Sequence, residues 1–516
     1  MDIILCFSQH KLSLELMSDV ISTLKKHIGQ VKDLESAANL LEWDQEPYMP
    51  SGAAQSRAHQ ISTLRQLAHE LFTREEMGAL LAEAKDTLNG ADPLSDEASL
   101  IRVAGKDYDR ATKLPGELVA AFARAVSLGK NAWKEARESD DFSKFAPHLQ
   151  ELVNLNIAKA EAYGFEDHIY DAMLDQYEPG MKTREVEQVF ADLRKDLVPI
   201  VQQIQDAPQP EDPFLHIKYD HQKQWDFGLY VIRDFGYNFD RGRQDLSAHP
   251  FTTSFSITDV RLTTRVNEEF FPTALFGTLH EAGHGLYEQG VDLALDRTPL
   301  AEGTSLGMHE SQSRLWENLV GRSKPFWQHY YPKLQATFPA QLGNISLDQF
   351  YPALNKVTPS LIRVEADEVT YNLHIMLRFE IETALVAGKV KVNELPALWR
   401  TKMQEYLGVV PENDADGVLQ DIHWSLGVLG YFPTYALGNL MSTQLFDQAQ
   451  QDLTNLNEQI RNGEFADLLN WLKTNIHQYG RKLEAGQILQ RVTGEKLNSQ
   501  SWLAYVKEKY GEIYGF

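Results

Sequence analysis

Apolar residues recur at spacings of three and four along nearly the whole chain, and one stretch alone breaks into alternation. Leu34, Leu40 and Leu41 form one such set, and Leu64, Leu67 and Leu71 another; residues so spaced share one face of an α-helix. Helix-start signals punctuate the run. Thr73 with Glu76 and Ser346 with Gln349 read as capping boxes, and Thr183 precedes an acidic first turn at Glu185. From about residue 436 to the end the pattern is again helical and amphipathic. The exception is Leu246 to Val266, LSAHPFTTSFSITDVRLTTRV, rich in Thr, Ser, Val, Ile and Phe, which reads as a strand or hairpin. Without a repeat or a long Gly/Ser linker, the expectation is a mainly α chain forming one large helical domain over residues 1–516, with a small β element inside it.

Composition narrows the function classes. The net charge is −24, which argues against nucleic-acid binding, because phosphate contacts need a concentrated basic surface. Every long apolar run is interrupted by charge, so no membrane span is expected. The N-terminus has an apolar run only from Ile3 to Phe7, with no basic region before it and no small-residue cleavage site. Cys6 is the only cysteine, which rules out an intrachain disulfide and a cysteine metal cluster. A cytoplasmic location is the natural expectation.

Just after the alternating stretch comes PTALFGTLHEAGHGLYEQ, beginning at Pro272. Proline suits the first position of a helix, Gly290 suits its end, and Leu275, Leu279, Ala282 and Leu286 make an apolar stripe. His280 and His284 are four apart, so one helical face presents two imidazoles to one ion, and imidazole nitrogen is a good zinc ligand. Glu281 beside them can reach water activated by that ion and act as general base in hydrolysis. A free strand edge just upstream could pair with an extended peptide, or the hairpin could simply cover the helical core.

A catalytic zinc usually takes three protein ligands. Glu288 is eight residues from His280, and eight residues of helix rise about 12 Å, too far for one ion. The third ligand is expected on the next helix, TSLGMHESQSRLWENLVG, where Glu310 is the first choice and His309, Glu302 and Glu317 compete. No His-x-x-Gly-x-x-His continuation follows the motif, which excludes the metzincin pattern.

At this point the sequence resembles the thermostable metallocarboxypeptidases related to carboxypeptidase Taq. His249-Pro250-Phe251 resembles that family's HPF motif, Asp259 to Thr263 its DxRxT, and His280 to His284 its HExxH. His309 to Gln312 fits its HES/GQ, Ile362 to Asp367 its IRxxAD, and Gly417 to Trp424 its GxxQDxHW. Leu40 to Pro50 also looks familial, and residues to about Gln9 read as an N-terminal extension. The resemblance implies a fold similar to neurolysin and angiotensin-converting enzyme, mainly helical, with a deep cleft between two halves and a little sheet near the zinc helix. It implies that His280, His284 and Glu310 hold zinc, with cobalt or manganese as activating alternatives. It also implies a homodimer that releases single residues of broad identity from the C-termini of peptides.

Further roles follow if the chain is a carboxypeptidase. The developing oxyanion needs a donor beyond the metal. Related helical zincins place a His and a Tyr there, and HWSLGVLGYFPTY offers His423 and Tyr435, with Tyr431 in reserve; core packing is the other use of these rings. A free carboxylate calls for a bidentate arginine. Arg363 is the expected partner, unless a salt bridge to Glu365, Asp367 or a neighbouring helix occupies it, and Arg261 is a weaker one because its own motif offers Asp259. His249 is expected in a structural turn, and Asp421 either orients a ligand or caps a turn. An oligopeptidase cutting within short peptides and a non-catalytic scaffold are the rival readings; the IRxxAD and GxxQDxHW motifs disfavour the first and Glu281 the second.

Overall fold

A long helix, Asp2–Gln45, opens the chain in the computed structural model, which describes the backbone of residues 2–88 and 90–516 and the side chains of 19–88 and 90–516. The side chains of Cys6 and of the rest of the expected extension to Gln9 lie outside the described ones. The face of this helix that meets neighbours is Ile21, Leu24, Ile28, Val31 and Ala38. Leu40, read above as part of the stripe, is exposed, as is Leu67 on Ala54–Phe72. Leu34, Leu41, Leu64 and Leu71 of the same sets are half-buried beside the buried Val31, Ala38 and Ala68, so the spacing marked the inward faces and only Leu40 and Leu67 fall at their margins.

The first helices share a small core, in which Ile21, Leu24 and Ile28 pack with Met77, Leu81, Leu100 and Ile101 and reach Val291, Leu295 and Leu300. The larger core draws on helices from Gly116–Glu138 to Gln500–Tyr514. Among the described residues no helix is long and apolar enough to cross a membrane.

Capping signals met mixed outcomes. Ser346 and Gln349 form the expected reciprocal box at the start of Leu347–Leu354, and Glu185 lies in the acidic first turn of Thr183–Asp206. Thr73 does not cap: its hydroxyl bonds back to the His69 carbonyl, closing the preceding helix, and Glu75–Thr87 starts from Arg74 with no side-chain cap. A threonine hydroxyl can satisfy the carbonyl four residues back as readily as an amide ahead, and here the first option won.

The alternating stretch forms two strands, β2 (Thr252–Ser256) and β3 (Asp259–Thr264). A third, β1 (Gly242–Leu246), lies just upstream and pairs in parallel with β3, giving the order β1-β3-β2. Its sequence GRQDL carries no strand signal. It is held by its ladder to β3 and by Asp245, whose carboxylate accepts from Arg243 and Tyr48. β2 runs antiparallel to β3, with Thr252 opposite Leu262, and among the described residues no strand pairs with its outer edge. The buried face of β3 rests on Pro272–Gly290, where Thr278 bonds Thr264 and Leu262 lies over Gly285.

Candidate metal centre

Pro272 begins the helix Pro272–Gly290, and Leu275, Leu279, Ala282 and Leu286 are all buried, as the stripe required. Gly290 is the last helical residue rather than a left-handed cap. Its want of a side chain serves His477, since a Cβ there would lie 2.3 Å from the imidazole Nδ1.

The next helix, Leu306–Arg314, is capped by Ser305, whose hydroxyl accepts from the Met308 amide. It crosses the first at Gly283, where a Cβ would stand 2.6 Å from Ser313 Cα and 2.7 Å from the Gln312 carbonyl oxygen. The helix Pro433–Asp452 closes from the other side through Gly438, whose Cβ would meet Glu310 Cβ at 2.6 Å. Two glycines therefore set how near Glu310 comes to the histidines.

His280 Nε2 lies 3.5 Å and His284 Nε2 3.6 Å from Glu310 Oε2. Tetrahedral ligands at about 2.0–2.1 Å from zinc stand about 3.4 Å apart, so both distances to Glu310 suit ligands of one ion. Donor atoms of His280, His284 and Glu310 all lie within 4.8 Å of one another. The imidazoles are half-buried and the carboxylate is buried.

The competitors for third ligand surround this set. Glu317 accepts from His280 Nδ1 at 2.9 Å, on the ring edge away from Glu310. His309 Nδ1 is 2.6 Å from His284 Nδ1, and its Nε2 is 2.6 Å from Glu288. Glu302 instead pairs with Lys32 and Arg481. Arg314 bonds Glu310 at 2.7 Å and Glu317 at 3.2 Å, and Arg322 adds a second cation to Glu317. The helix turns into a π segment at Leu315–Val320, so this face is also where its register changes.

Burial pushes the Glu281 carboxyl above its ordinary range, against the opposing pull of His280 and a hydrogen bond from Thr252. Thr252 Oγ1 lies 2.7 Å from Glu281 Oε2 and 2.9 Å from its carbonyl oxygen, tying β2 to the motif. Burial also drives His284 well below the ordinary imidazole value, with His309 and His280 adding to it. For His280, burial is outweighed by Glu310 and Glu317, which hold it above.

A second cluster gathers beyond Glu310. Tyr435 is one helical turn before Gly438, so it shares the face that packs on Glu310. His423 Nε2 is 3.5 Å from the Tyr435 hydroxyl, and the Tyr431 ring lies 5.4 Å from both His423 and Tyr435. Burial lowers His423 to about 4, with Asp421 opposing and Arg363 and Arg378 assisting. Arg363 does not pair with Glu365 or Asp367. Its Nε and one terminal nitrogen bond Asp421 at 3.0 and 2.8 Å, and the other bonds the Tyr371 hydroxyl at 3.0 Å. Arg378 shares Asp421, which is thus an anchor for two arginines. Arg261 stays on β3, forked onto Asp259 and stacked over Trp43. His249 lies in an exposed turn.

Sequence reasoning missed several residues here. Thr252 carried no signal. Arg314, four residues after Glu310, could have been found by pairing charges along the helix. Glu382 is buried and accepts from Tyr170, Trp424 and the Gly430 amide, pinning both ends of the loop that bears His423.

Glu178, also missed, accepts from the Ser305 hydroxyl and the Gly307 amide at the start of the Glu310 helix. Burial raises its carboxyl from 4.5 to about 7, with those two hydrogen bonds opposing. A carboxyl raised in the folded state keeps its proton longer there than in the unfolded chain, so stability falls as pH rises from about 4.5 to about 7. The expected result is that Glu178→Gln gains thermal midpoint relative to the parent as pH climbs through that window. A difference that stays flat from about pH 5 to about pH 8 would show that Glu178 does not titrate there.

The chain is similar to known proteins over almost its full length. A family model described as carboxypeptidase Taq (M32) metallopeptidase matches residues 23–510. Thermostable carboxypeptidase 1 of Thermus thermophilus is 42% identical over 495 residues, covering 93% of this chain and 96% of the relative. The crystal structure of an M32 carboxypeptidase from Deinococcus radiodurans superposes with a TM-score of 0.94 at 41% identity, covering 96% of this chain and 100% of the other. Metallocarboxypeptidase 1 of Trypanosoma cruzi gives 0.90 at 31% identity, covering 95% and 99%.

Proposed function

The chain belongs to the carboxypeptidase Taq (M32) metallopeptidase family, and from that premise we propose that it is a zinc carboxypeptidase of broad specificity with Glu281 as general base. The observation that carries the reading is the convergence of His280 Nε2 and His284 Nε2 on one Glu310 oxygen, at 3.5 and 3.6 Å, with the neighbouring carboxylate free of that set. Two imidazoles and a carboxylate suit zinc, and cobalt or manganese would be accepted by the same donors. The bound ion supplies a Lewis acid that polarises the scissile carbonyl and acidifies a water molecule.

The chain's own residues do the rest. Glu281 takes the proton from the attacking water and passes it to the leaving amine, its carboxylate held in place by Thr252. His423, kept neutral by burial, and Tyr435 donate toward the oxyanion, with Tyr431 packed behind them. The unpaired outer edge of β2 offers backbone groups to an extended peptide. Arg363 binds the terminal carboxylate. A guanidinium has five N–H groups, and its contacts to Asp421 and Tyr371 leave one on each terminal nitrogen. The cytoplasmic location, the homodimer and the single domain over residues 1–516 belong to the same proposal.

A ladder of products from one peptide, read by mass, tests the activity: stepwise loss from the C-terminus supports it, and internal cuts would favour the oligopeptidase reading. Arg363→Ala is expected to lower kcat/KM on free-acid peptides by about 100-fold, the worth of a charge-assisted bidentate contact. C-terminally amidated peptides should lose far less, since Asp421 keeps Arg378 as partner. An equal loss on both substrates would reject the carboxylate role.

A further inference from the structure

His284 and His309 face each other through Nδ1 at 2.6 Å, and only one of the two nitrogens can carry the proton of that bond. Which one is decided by what the other ring edges do. His284 turns Nε2 toward Glu310 and the metal position, so that nitrogen must offer a lone pair. A neutral imidazole with a bare Nε2 carries its proton on Nδ1. His284 is therefore the donor, His309 Nδ1 the acceptor, and the His309 proton sits on Nε2, where Glu288 receives it at 2.6 Å.

We infer that His309 and Glu288 are positioning residues, a two-step relay that holds His284 in its metal-binding tautomer and rotamer. The inference rests on reading His280, His284 and Glu310 as the ligand set. The His309 ring has little freedom to do otherwise. A Cβ on Gly303 would lie 2.5 Å from its Cδ2, and the Tyr287 ring packs on it with centroids 5.0 Å apart. Glu288 also gains a purpose here: it is too far along its own helix to reach the ion, yet it acts on that site through a histidine supplied by the crossing helix. His280 has the shorter arrangement, a carboxylate directly on Nδ1. The two ligands are thus steadied unequally, one by Glu317 and one through an extra imidazole.

Zinc affinity of the full chain, measured by competition with a chromophoric chelator, tests this. His309→Phe fills the space but removes the acceptor, and should weaken zinc binding by about 10–100-fold, the usual range for such supporting partners. The metal-free protein should melt as the parent does. His309→Asn puts an amide oxygen near the old Nδ1 and should recover most of the loss. Affinity within about two-fold of the parent for His309→Phe would overturn the relay, as would equal losses for Phe and Asn. Should His309→Phe fail to fold, Glu288→Leu leaves both rings in place and frees the His309 tautomer; it should weaken binding in the same direction, and unchanged affinity overturns the proposal. Glu310→Ala separates the two levels. If it still binds one equivalent of zinc, the ligand reading fails; if it does not, while His309→Phe binds normally, only the relay fails.

Discussion

Glu281→Gln is expected to lower kcat on free-acid peptides by about 10,000-fold, the upper range for a positioned acid–base group, while one equivalent of metal stays bound. The two halves of that result have separate structural causes. The metal stays because Glu281 contributes no atom to the convergence of His280, His284 and Glu310. The activity goes because this carboxylate, next in sequence to the ligand His280, is held in place by a hydroxyl and carries no arginine. Glu310 and Glu317 are both committed to Arg314, whereas Glu281 has a single hydroxyl donor, Thr252. Glutamine keeps the shape and an oxygen for Thr252, but an amide cannot take a proton from water at neutral pH. The fold should tolerate it, because burial already disfavours the charged form at this position. Metal analysis beside a turnover assay checks both halves. Activity within about ten-fold of the parent would sink the assignment of the base, and loss of metal would mean that Glu281 takes part in holding it.

Much of this site was legible because helix geometry is periodic and local. Four residues separate His280 from His284, and that alone places both on one face; eight separate His280 from Glu288, and that alone puts the latter out of reach. The third ligand needed a crossing between two helices, which spacing does not encode. The sequence does contain its cause, Gly283, but a glycine within a motif is equally compatible with several partners. Only the closeness of Ser313 Cα to the position a Cβ would occupy shows which helix passes there. The second cluster was less legible for a different reason. Arg363 was given Glu365, Asp367 or a neighbouring helix as rival partners; the structure supplies neither motif neighbour but an ion pair to Asp421, from a segment 58 residues away. Long-range ion pairs leave no periodic trace. β1 was missed for the same cause, since a strand of charged residues owes its conformation to the ladder with β3 rather than to its own pattern.

Glu310→Ala is the second large effect, and it should separate metal binding from folding. Structural zinc sites bind with about 10–16 kcal/mol shared over four ligands, so losing one ligand should cost about 2.5–4 kcal/mol, an affinity weaker by about 70- to 900-fold. The folded chain loses less. Arg314, a buried cation, forfeits its 2.7 Å contact to Glu310 but keeps Glu317 at 3.2 Å and the Tyr371 ring at 4.6 Å. A partly compensated buried charge costs about 1–3 kcal/mol, enough to lower the melting point without unfolding the protein. Dialysed protein should then contain almost no metal, with its helical signal intact. Retention of a full equivalent would move the third ligand elsewhere, and geometry limits where. Glu317 already sits on His280 Nδ1, the ring nitrogen other than the one that meets Glu310 beside His284 Nε2, so an ion bound there would leave that convergence. His309 is opposed to His284 through the same kind of edge, Nδ1 to Nδ1. Either alternative would require an imidazole to turn over, and the hydrogen bonds that Glu317 and Glu288 accept would have to break first. Of the five acidic or imidazole side chains weighed for the position, Glu310 is the one that meets both Nε2 atoms with one oxygen.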